Sequence, residues 1–142
     1  MKPQDKIFEV QKNADGVVTA FRYGTTSDTL LRVVFYLAAM NSNKGATLVF
    51  EESEAHAFPY FTKQMGEEIA FDSENQYFIA THNPYLLCAI VEKAKKEDVC
   101  VFVTSFKDYR TRVRPLTESE LSELLSGDPF FMSQRFVEES GE

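Results

Sequence analysis

The stretch "LVFEESEAHAFP", Leu48 to Pro59, passes abruptly from apolar residues to carboxylates. Its first residues continue a short apolar run from Ala46, which is typical of a strand in the interior of a parallel sheet. Glu51, Glu52 and Glu54 follow directly. Two interpretations are open at this point: a strand that runs into a solvated acidic loop, or the edge of a site for a metal ion, a water and a phosphate.

The segments on either side of this stretch alternate between helical and strand patterns. Upstream, Ser27 is a good N-cap, Asp28 suits the positive end of a helix dipole, and apolar residues then recur at helical spacing. Because this helix is apolar nearly all round, we expect it to be largely buried. Four further segments follow: a helix at Pro59 to Phe71, a strand at Gln76 to Thr81, a helix at Pro84 to Lys96 and a strand at Asp98 to Phe106.

Both ends of the chain carry patterns of their own. Lys6 to Gln11 and Val17 to Tyr23 alternate like strands around a turn-forming "KNADG", which predicts a hairpin. Thr111 to Leu116 predicts a strand, and Thr117 with Glu120 forms a capping box at the start of a helix. We therefore interpret residues 1–142 as a single domain with an N-terminal hairpin (1–24), an αβ core (25–107) and a C-terminal strand, helix and tail (108–142).

The order of these elements predicts an α/β fold with a mainly parallel sheet flanked by helices. Strands that alternate with helices are joined by right-handed crossovers and lie parallel. In such sheets, ligands bind at the carboxyl ends of the strands. Glu51, Glu52 and His82 all fall at that position, immediately after two apolar strands. We therefore expect two carboxylates and one imidazole to lie together at one edge of the sheet.

The composition limits the classes of function. The chain has 142 residues, which suits one domain, and its net charge of -7 with a pI near 4.9 argues against broad attachment to nucleic acid or to an anionic membrane. Cys88 and Cys100 lie in apolar surroundings, which predicts buried, reduced thiols. No apolar run approaches the roughly 20 residues of a membrane span, and no secretory signal follows Met1, so we expect a cytoplasmic protein without a membrane partner.

Two motifs carry a specific resemblance. "TLVFEESEAHAFP" (Thr47 to Pro59) and "IATHNPYLL" (Ile79 to Leu87) resemble segments that read "hhhhDEPEAHLHP", with h apolar, and "TTHSPYLL" in ABC-type ATPases. The match is to the branch of overcoming-lysogenization-defect (OLD) proteins and SMC-like chromosome-maintenance ATPases. Upstream, "TTSDTLLRVVFYLAAM" looks like the signature segment and its helix. The resemblance covers roughly Tyr23 to Leu125 and implies the C-terminal lobe of a P-loop NTPase-like fold.

The resemblance implies a role for each matching residue. Glu51 stands where the family has the Walker B aspartate that holds Mg²⁺, and Glu52 where it has the catalytic glutamate that orients or deprotonates the attacking water. His82 matches the switch histidine, which hydrogen-bonds the γ-phosphate. The segment Thr26 to Asp28 matches the nucleotide-contacting signature, whose serine, here Ser27, reaches the γ-phosphate of nucleotide held mainly by the opposite subunit. The implied cofactors are ATP and Mg²⁺.

These residue types suit phosphoryl transfer, which depends on positioning and on neutralising charge. A hard cation takes oxygen ligands, and a second carboxylate can activate water. An imidazole can donate to a phosphate oxygen. A helix that begins at Ser27 offers free N–H groups to an anion.

The chain contains no Gly-x4-Gly-Lys-[Ser/Thr] phosphate loop. That loop supplies the backbone nest and the lysine that hold the β- and γ-phosphates, so we expect weak ATP binding and no turnover by this chain alone. The predicted function is the C-terminal half of an ABC-type ATPase, which hydrolyses ATP with a P-loop-bearing partner or N-terminal segment. The resemblance also implies a homodimer.

Two other functions fit the same residues. One is a non-enzymatic protein-interaction module derived from this fold. The other is a metal-dependent hydrolase that uses Glu51, Glu52, Glu54 and His82.

Two further segments leave alternatives open. Alternation puts Arg112 and Arg114 on one face of a strand. These arginines are either solvated charges at the edge of the sheet or a contact for DNA. We expect the Phe-rich tail from Asp128 either to pack against the core or to form an interface with the P-loop-bearing partner or segment.

Overall fold

The computed structural model of the chain describes residues 9–14, 17–22, 27–55 and 57–140. Its elements in chain order are β1 (Glu9–Ala14), β2 (Val17–Arg22), α1 (Asp28–Ser42), β3 (Thr47–Glu51), α2 (Pro59–Phe71), β4 (Gln76–Ala80), α3 (Pro84–Lys93), a 3₁₀ turn (Lys96–Asp98), β5 (Phe102–Lys107), β6 (Arg110–Pro115), α4 (Glu118–Ser126) and α5 (Pro129–Ser140). Within these ranges, every helix is too short or too polar to cross a bilayer.

The described strands form one parallel pair and two antiparallel pairs. β3 and β4 are parallel and in register from Thr47 opposite Gln76 to Glu51 opposite Ala80. β1 pairs with β2 as the predicted N-terminal hairpin, and β5 pairs antiparallel with β6. The prediction of parallel strands in an α/β fold is therefore confirmed for β3 and β4 and wrong for β5.

β5 departs from the predicted parallel order because of the two-residue turn that follows it. Asp108 and Tyr109 connect β5 to β6 with φ angles of 53° and 59°. Positive φ at both central residues gives the tight turn that matches the twist of an antiparallel hairpin. Two residues are also too few for the crossover that parallel strands require. Because neither residue is glycine, the local sequence pattern does not predict this turn.

The first core lies on one face of the parallel pair. Phe50 of β3 is buried and meets the ring of Tyr36 in α1 edge to face, with centroids 5.0 Å apart. The buried residues of this core are Met40, Phe50, Met65, Ile69 and Leu86. α1 contacts the core along one side only, and Phe35 on its other side is 63% exposed. The prediction that α1 is largely buried is therefore wrong.

α2 and α3 cross closely at Gly66, which is buried. A Cβ added there would lie 2.7 Å from the Ala89 Cβ and 3.3 Å from the Leu86 carbonyl oxygen. Glycine therefore sets the distance between the two helices. Because α3 begins two residues after His82, this crossing also fixes the position of the segment that carries the histidine.

Gly66→Ala should destabilise the fold by about 1–3 kcal/mol, because overpacking at this crossing outweighs the gain in helix propensity. Chemical denaturation measures the loss. Adding Ala89→Gly removes the nearest clashing atom. The loss of unfolding free energy in the double variant should therefore be smaller than the sum of the losses in the two single variants. Strictly additive effects would contradict the close contact.

A second core joins α3 to α4 and α5. Leu124 and Phe136 are almost completely buried and pack with Cys88. The Phe-rich tail thus forms α5 and docks through Phe136. Phe130 and Phe131 in its first turn remain 54% and 65% exposed, so only part of the tail packs as predicted.

The two cysteines differ in environment. Cys88 is buried, and burial together with the nearby Glu92 carboxylate raises the pKa of its thiol, which keeps it protonated. Cys100 is free but exposed, so the prediction of buried thiols is wrong at this position. It lies in an extended segment between Val99 and Val101, and alternation turns these neighbours inward and Cys100 outward.

A hydrogen-bond network around Asp72 holds the end of the parallel pair where β4 begins. The Asp72 carboxylate accepts bonds from the Tyr77 hydroxyl, the Asn75 side chain, and the N–H groups of Glu74 and Asn75. Asn75 also donates to the Asn43 carbonyl at 3.0 Å, which joins this turn to the end of α1. Burial opposes the charge on Asp72, but the hydrogen bonds outweigh burial and lower its pKa to about 2.

Asp72→Asn should lower the free energy of unfolding at neutral pH by about 1 kcal/mol, a value reduced for solvent screening. The folded pKa lies below the ordinary 3.8, so the charged form stabilises the fold above about pH 4, and this contribution is lost as the pH falls toward 2. Urea denaturation at several pH values should show the two proteins converging at low pH. The exposed control Asp98→Asn should show no such convergence, and a pH-independent difference for Asp72→Asn would contradict the assignment.

Candidate functional site

β3 and β4 end side by side, which brings together the loops that follow them. Their last registered pair is Glu51 opposite Ala80. The Glu52 N–H then donates to the Ala80 carbonyl at 2.9 Å and extends the pairing by one residue. We call residues 52–55 the acidic loop and residues 81–83 the histidine loop. The parallel register makes the two loops neighbours at one edge.

Glu52 has a left-handed backbone conformation, with φ of 45°. Such values are uncommon for residues other than glycine. Its N–H is bonded to Ala80, and its carbonyl accepts from the Ala55 N–H at 2.9 Å. The surrounding structure thus holds Glu52 in a conformation that it would otherwise avoid, as is frequent at functional sites.

The histidine loop is fixed by its own hydrogen bonds. The Asn83 N–H donates to the Thr81 hydroxyl at 2.9 Å, and the Asn83 side chain caps α3 by accepting from the Tyr85 N–H at 2.9 Å. Pro84 takes the first helical position, where no N–H is needed. His82 lies between two restrained residues, and its side chain is 79% exposed.

The structure brings Glu52 and His82 together. The Glu52 Oε1 lies 3.4 Å from the His82 Nδ1, and the Glu52 side chain is 58% exposed. An exposed pair of this kind contributes at most about 1 kcal/mol to folding, and only while the histidine is protonated. The pair therefore adds little to the stability of the protein, and its carboxylate and imidazole are accessible to a ligand.

Glu51 is the last residue of β3 and is exposed. Its carboxylate makes no hydrogen bond or ion pair with a described residue, so the structure shows no contact between this carboxylate and the pair Glu52 and His82. Across the described ranges, His, Cys, Asp and Glu side chains form no group of three or more that could hold a metal ion. The residues proposed for a metal-dependent hydrolase are thus not assembled as a metal centre.

Glu54 differs from its acidic neighbours, because it is 4% exposed and points into the protein. Its Oε1 accepts a hydrogen bond from the Thr81 hydroxyl in the histidine loop. The interpretation of the whole acidic stretch as a solvated loop is therefore wrong for Glu54. The sequence carried little sign of this contact, since charged residues are rarely buried and Thr81 stood out only as the neighbour of His82.

The residues of the signature-like segment lie at the start of α1. Ser27 caps this helix as predicted, accepting from the Leu30 N–H at 3.4 Å, and Asp28 is exposed in its first turn. Neither has a described contact with Glu52 or His82. Thr26 lies outside the described residues. One turn into α1, Arg32 lines a cavity of about 20 Å³ that also borders Ser53 in the acidic loop.

Comparison with known proteins adds a finding on the fold. Neither a protein-family profile nor a curated protein sequence matches the chain. A solved structure from work on "ATP-driven dimerization and DNA stimulated activation of SMC ATPases" is similar to it, with a TM-score of 0.60 and 18% sequence identity, over 83% of this chain and 70% of that chain. The chain shares a fold with an SMC ATPase. This agrees with the SMC-like part of the resemblance noted in the sequence.

Glu52→Gly should be more stable than Glu52→Ala by about 1 kcal/mol, because only glycine adopts the left-handed conformation without a steric penalty. Both variants lack the carboxylate, so their comparison isolates the backbone. The same two substitutions at Glu68, which is exposed on the helix α2, should show the opposite order of stability. Glu68→Ala should be more stable than Glu68→Gly, since glycine is the poorer helix former. Chemical denaturation measures all four variants, and an Ala variant at position 52 that matches or exceeds the Gly variant would exclude this conformation.

Proposed function

We propose that this chain is the catalytic C-terminal part of an SMC-like ATPase head and that it acts together with a lobe bearing a P-loop. The observation that carries this proposal is the approach of the Glu52 carboxylate to the His82 imidazole at the ends of two parallel strands. A fold shared with an SMC ATPase structure supports it. A positioned carboxylate can activate water, and an imidazole can donate to a phosphate oxygen.

In this proposal, each side chain has a separate task. Glu52 orients the attacking water and accepts its proton, which its exposed carboxylate can do while Oε1 faces His82. His82 donates to a γ-phosphate oxygen from Nε2 while its Nδ1 faces Glu52, since both nitrogens of a protonated imidazole are donors. Ser27 and Asp28, at the α1 N-terminus, contact nucleotide held by an opposite subunit, as does Thr26.

The donor set fits a magnesium ion that arrives with nucleotide. Mg²⁺ is usually bound by one or two carboxylates, several waters and substrate phosphates, where it neutralises phosphate charge. Glu51 offers one exposed carboxylate at the strand end. A single such ligand suits a shared site whose remaining ligands are phosphate and water.

A second observation supports the participation of another lobe. Val49 and Phe78 are paired in register on the face of the strands opposite Phe50, and they are 74% and 57% exposed. Parallel strands are normally covered on both faces. A P-loop-bearing lobe would cover this apolar face and supply the phosphate-binding nest that the sequence lacks.

The proposal predicts ATP turnover only in a mixture. The chain and a purified P-loop-bearing N-terminal lobe of an SMC-type ATPase should each be inactive with ATP and Mg²⁺ and should release phosphate together. Glu52→Gln should lower the turnover number about 100-fold or more, because the amide cannot accept the proton. His82→Ala should lower it about tenfold or more through the loss of the phosphate contact.

The control for this assay is Glu97→Gln, which removes an exposed charge in the 3₁₀ turn and should leave turnover unchanged. Equal turnover in wild type and Glu52→Gln would remove Glu52 from the mechanism. A mixture that forms a stable complex without phosphate release would favour an interaction module instead.

The interaction module is supported by one feature, the exposed aromatic residues at the start of α5. Phe130 meets Tyr85 of α3 edge to face at 5.1 Å, and Phe131 is 65% exposed beside it. These rings could bind a protein without any nucleotide.

DNA is a further proposed partner. Arg110 and Arg112 are exposed on one face of β6, whereas Arg114 on the same face pairs with Glu120 at 2.8 Å.

A further inference from the structure

We propose that Glu54 is a positioning residue that holds the acidic loop and the histidine loop in fixed relation through Thr81. This inference rests on the proposed function, because it concerns the placement of Glu52 against His82. It deepens that function by adding a buried carboxylate and its half-buried hydroxyl partner, which act through the placement of Glu52 and His82.

The contacts of Glu54 link the two loops through the interior. Its carboxylate accepts from the Thr81 hydroxyl, and its carbonyl accepts from the Ala57 N–H at 2.9 Å. The Thr81 oxygen in turn accepts from the Asn83 N–H at 2.9 Å. A continuous series of hydrogen bonds therefore runs from the acidic loop to Asn83, the residue that caps α3.

This series determines where His82 lies. Thr81 and Asn83 flank His82 on both sides, and both belong to the series. On the other loop, Glu54 is two residues from Glu52 and fixes the turn that follows it. Moving Thr81 relative to Glu54 would therefore change the distance between the Glu52 carboxylate and the His82 ring.

The surface contacts alone are too weak to do this. The Glu52 and His82 side chains are 58% and 79% exposed, so their attraction is screened by water. Glu54 is 4% exposed, and a hydrogen bond in a buried, low-dielectric site is stronger than the same bond exposed to water. One of its oxygens, Oε2, has no partner among the described residues, so the bond from Thr81 is the only described side-chain contact of this carboxylate.

A hydroxyl at position 81 is needed for two bonds at once. It donates its single proton to Glu54 and accepts from Asn83 with a lone pair. Serine can do both, and valine, which has nearly the same shape as threonine, can do neither. Glutamine at position 54 retains an acceptor oxygen, and alanine removes it.

The test on the chain alone combines amide hydrogen exchange with NMR of the histidine rings. The chain has two histidines, and a His56→Gln variant assigns the signal of His82. Glu54→Ala and Thr81→Val should each speed exchange of the Glu52 and Asn83 amides about tenfold or more and shift the His82 ring signals. Thr81→Ser and Glu54→Gln should stay close to wild type.

The double variant Glu54→Ala with Thr81→Val should be no worse than the more damaging single variant, because the bond between Glu54 and Thr81 is already lost in each single variant. Unchanged His82 signals, additive effects, or faster exchange spread equally over the β3 and β4 amides would overturn the proposal. The last result would show that Glu54 only stabilises the fold. Glu97→Ala, at an exposed glutamate, is the matched control.

Turnover with the P-loop-bearing lobe tests the consequence for the reaction. Thr81→Val should lower the turnover number about tenfold while the KM for ATP changes little, and Thr81→Ser should restore it. Unchanged turnover in Thr81→Val would overturn the positioning role. If no mixture hydrolyses ATP, the proposed function fails. Amide hydrogen exchange and the NMR signals of the His82 ring on the chain alone still decide whether Glu54 positions His82.

Discussion

The parallel register of β3 and β4 is the constraint on which the candidate site depends. Because the strands end together at Glu51 and Ala80, the residues that follow them, Glu52 and His82, emerge at the same edge. Side chains alternate along a strand, so a slip of one residue would turn the apolar set of β3 outward and separate the two loops. The core packing of Phe50 against Tyr36 therefore selects the register that also builds the site.

Stability and chemistry are divided between buried and exposed groups at this edge. Glu52 and His82 face solvent and contribute little to folding, which leaves them free to bind a ligand. The backbone bond from Glu52 to Ala80 and the buried Glu54 side chain set the geometry. The left-handed conformation of Glu52 is retained because these neighbours restrain it, a common arrangement where precise placement is needed.

The sequence predicted those features that depend on local pattern and failed where distant contacts decide. Helix α2 begins and ends as predicted because proline and apolar periodicity mark it, and Ser27 and Thr117 cap their helices for the same reason. The meeting of Glu52 and His82 followed from strand order alone. The burial of Glu54 did not, because only the folded position of Thr81 makes it favourable, and the antiparallel β5 depended on a turn without glycine.

β3 is apolar on both faces, and its exposed face adjoins the candidate site. Phe50 is buried on one face, but Val49 on the other is 74% exposed. Alternation places Glu51 on the same face as Val49, at the end where β3 meets the candidate site. Whatever covers Val49 and Phe78 must therefore approach the Glu51 carboxylate as well. In the proposed function, assembly with another lobe and completion of a shared cation site would therefore be one event.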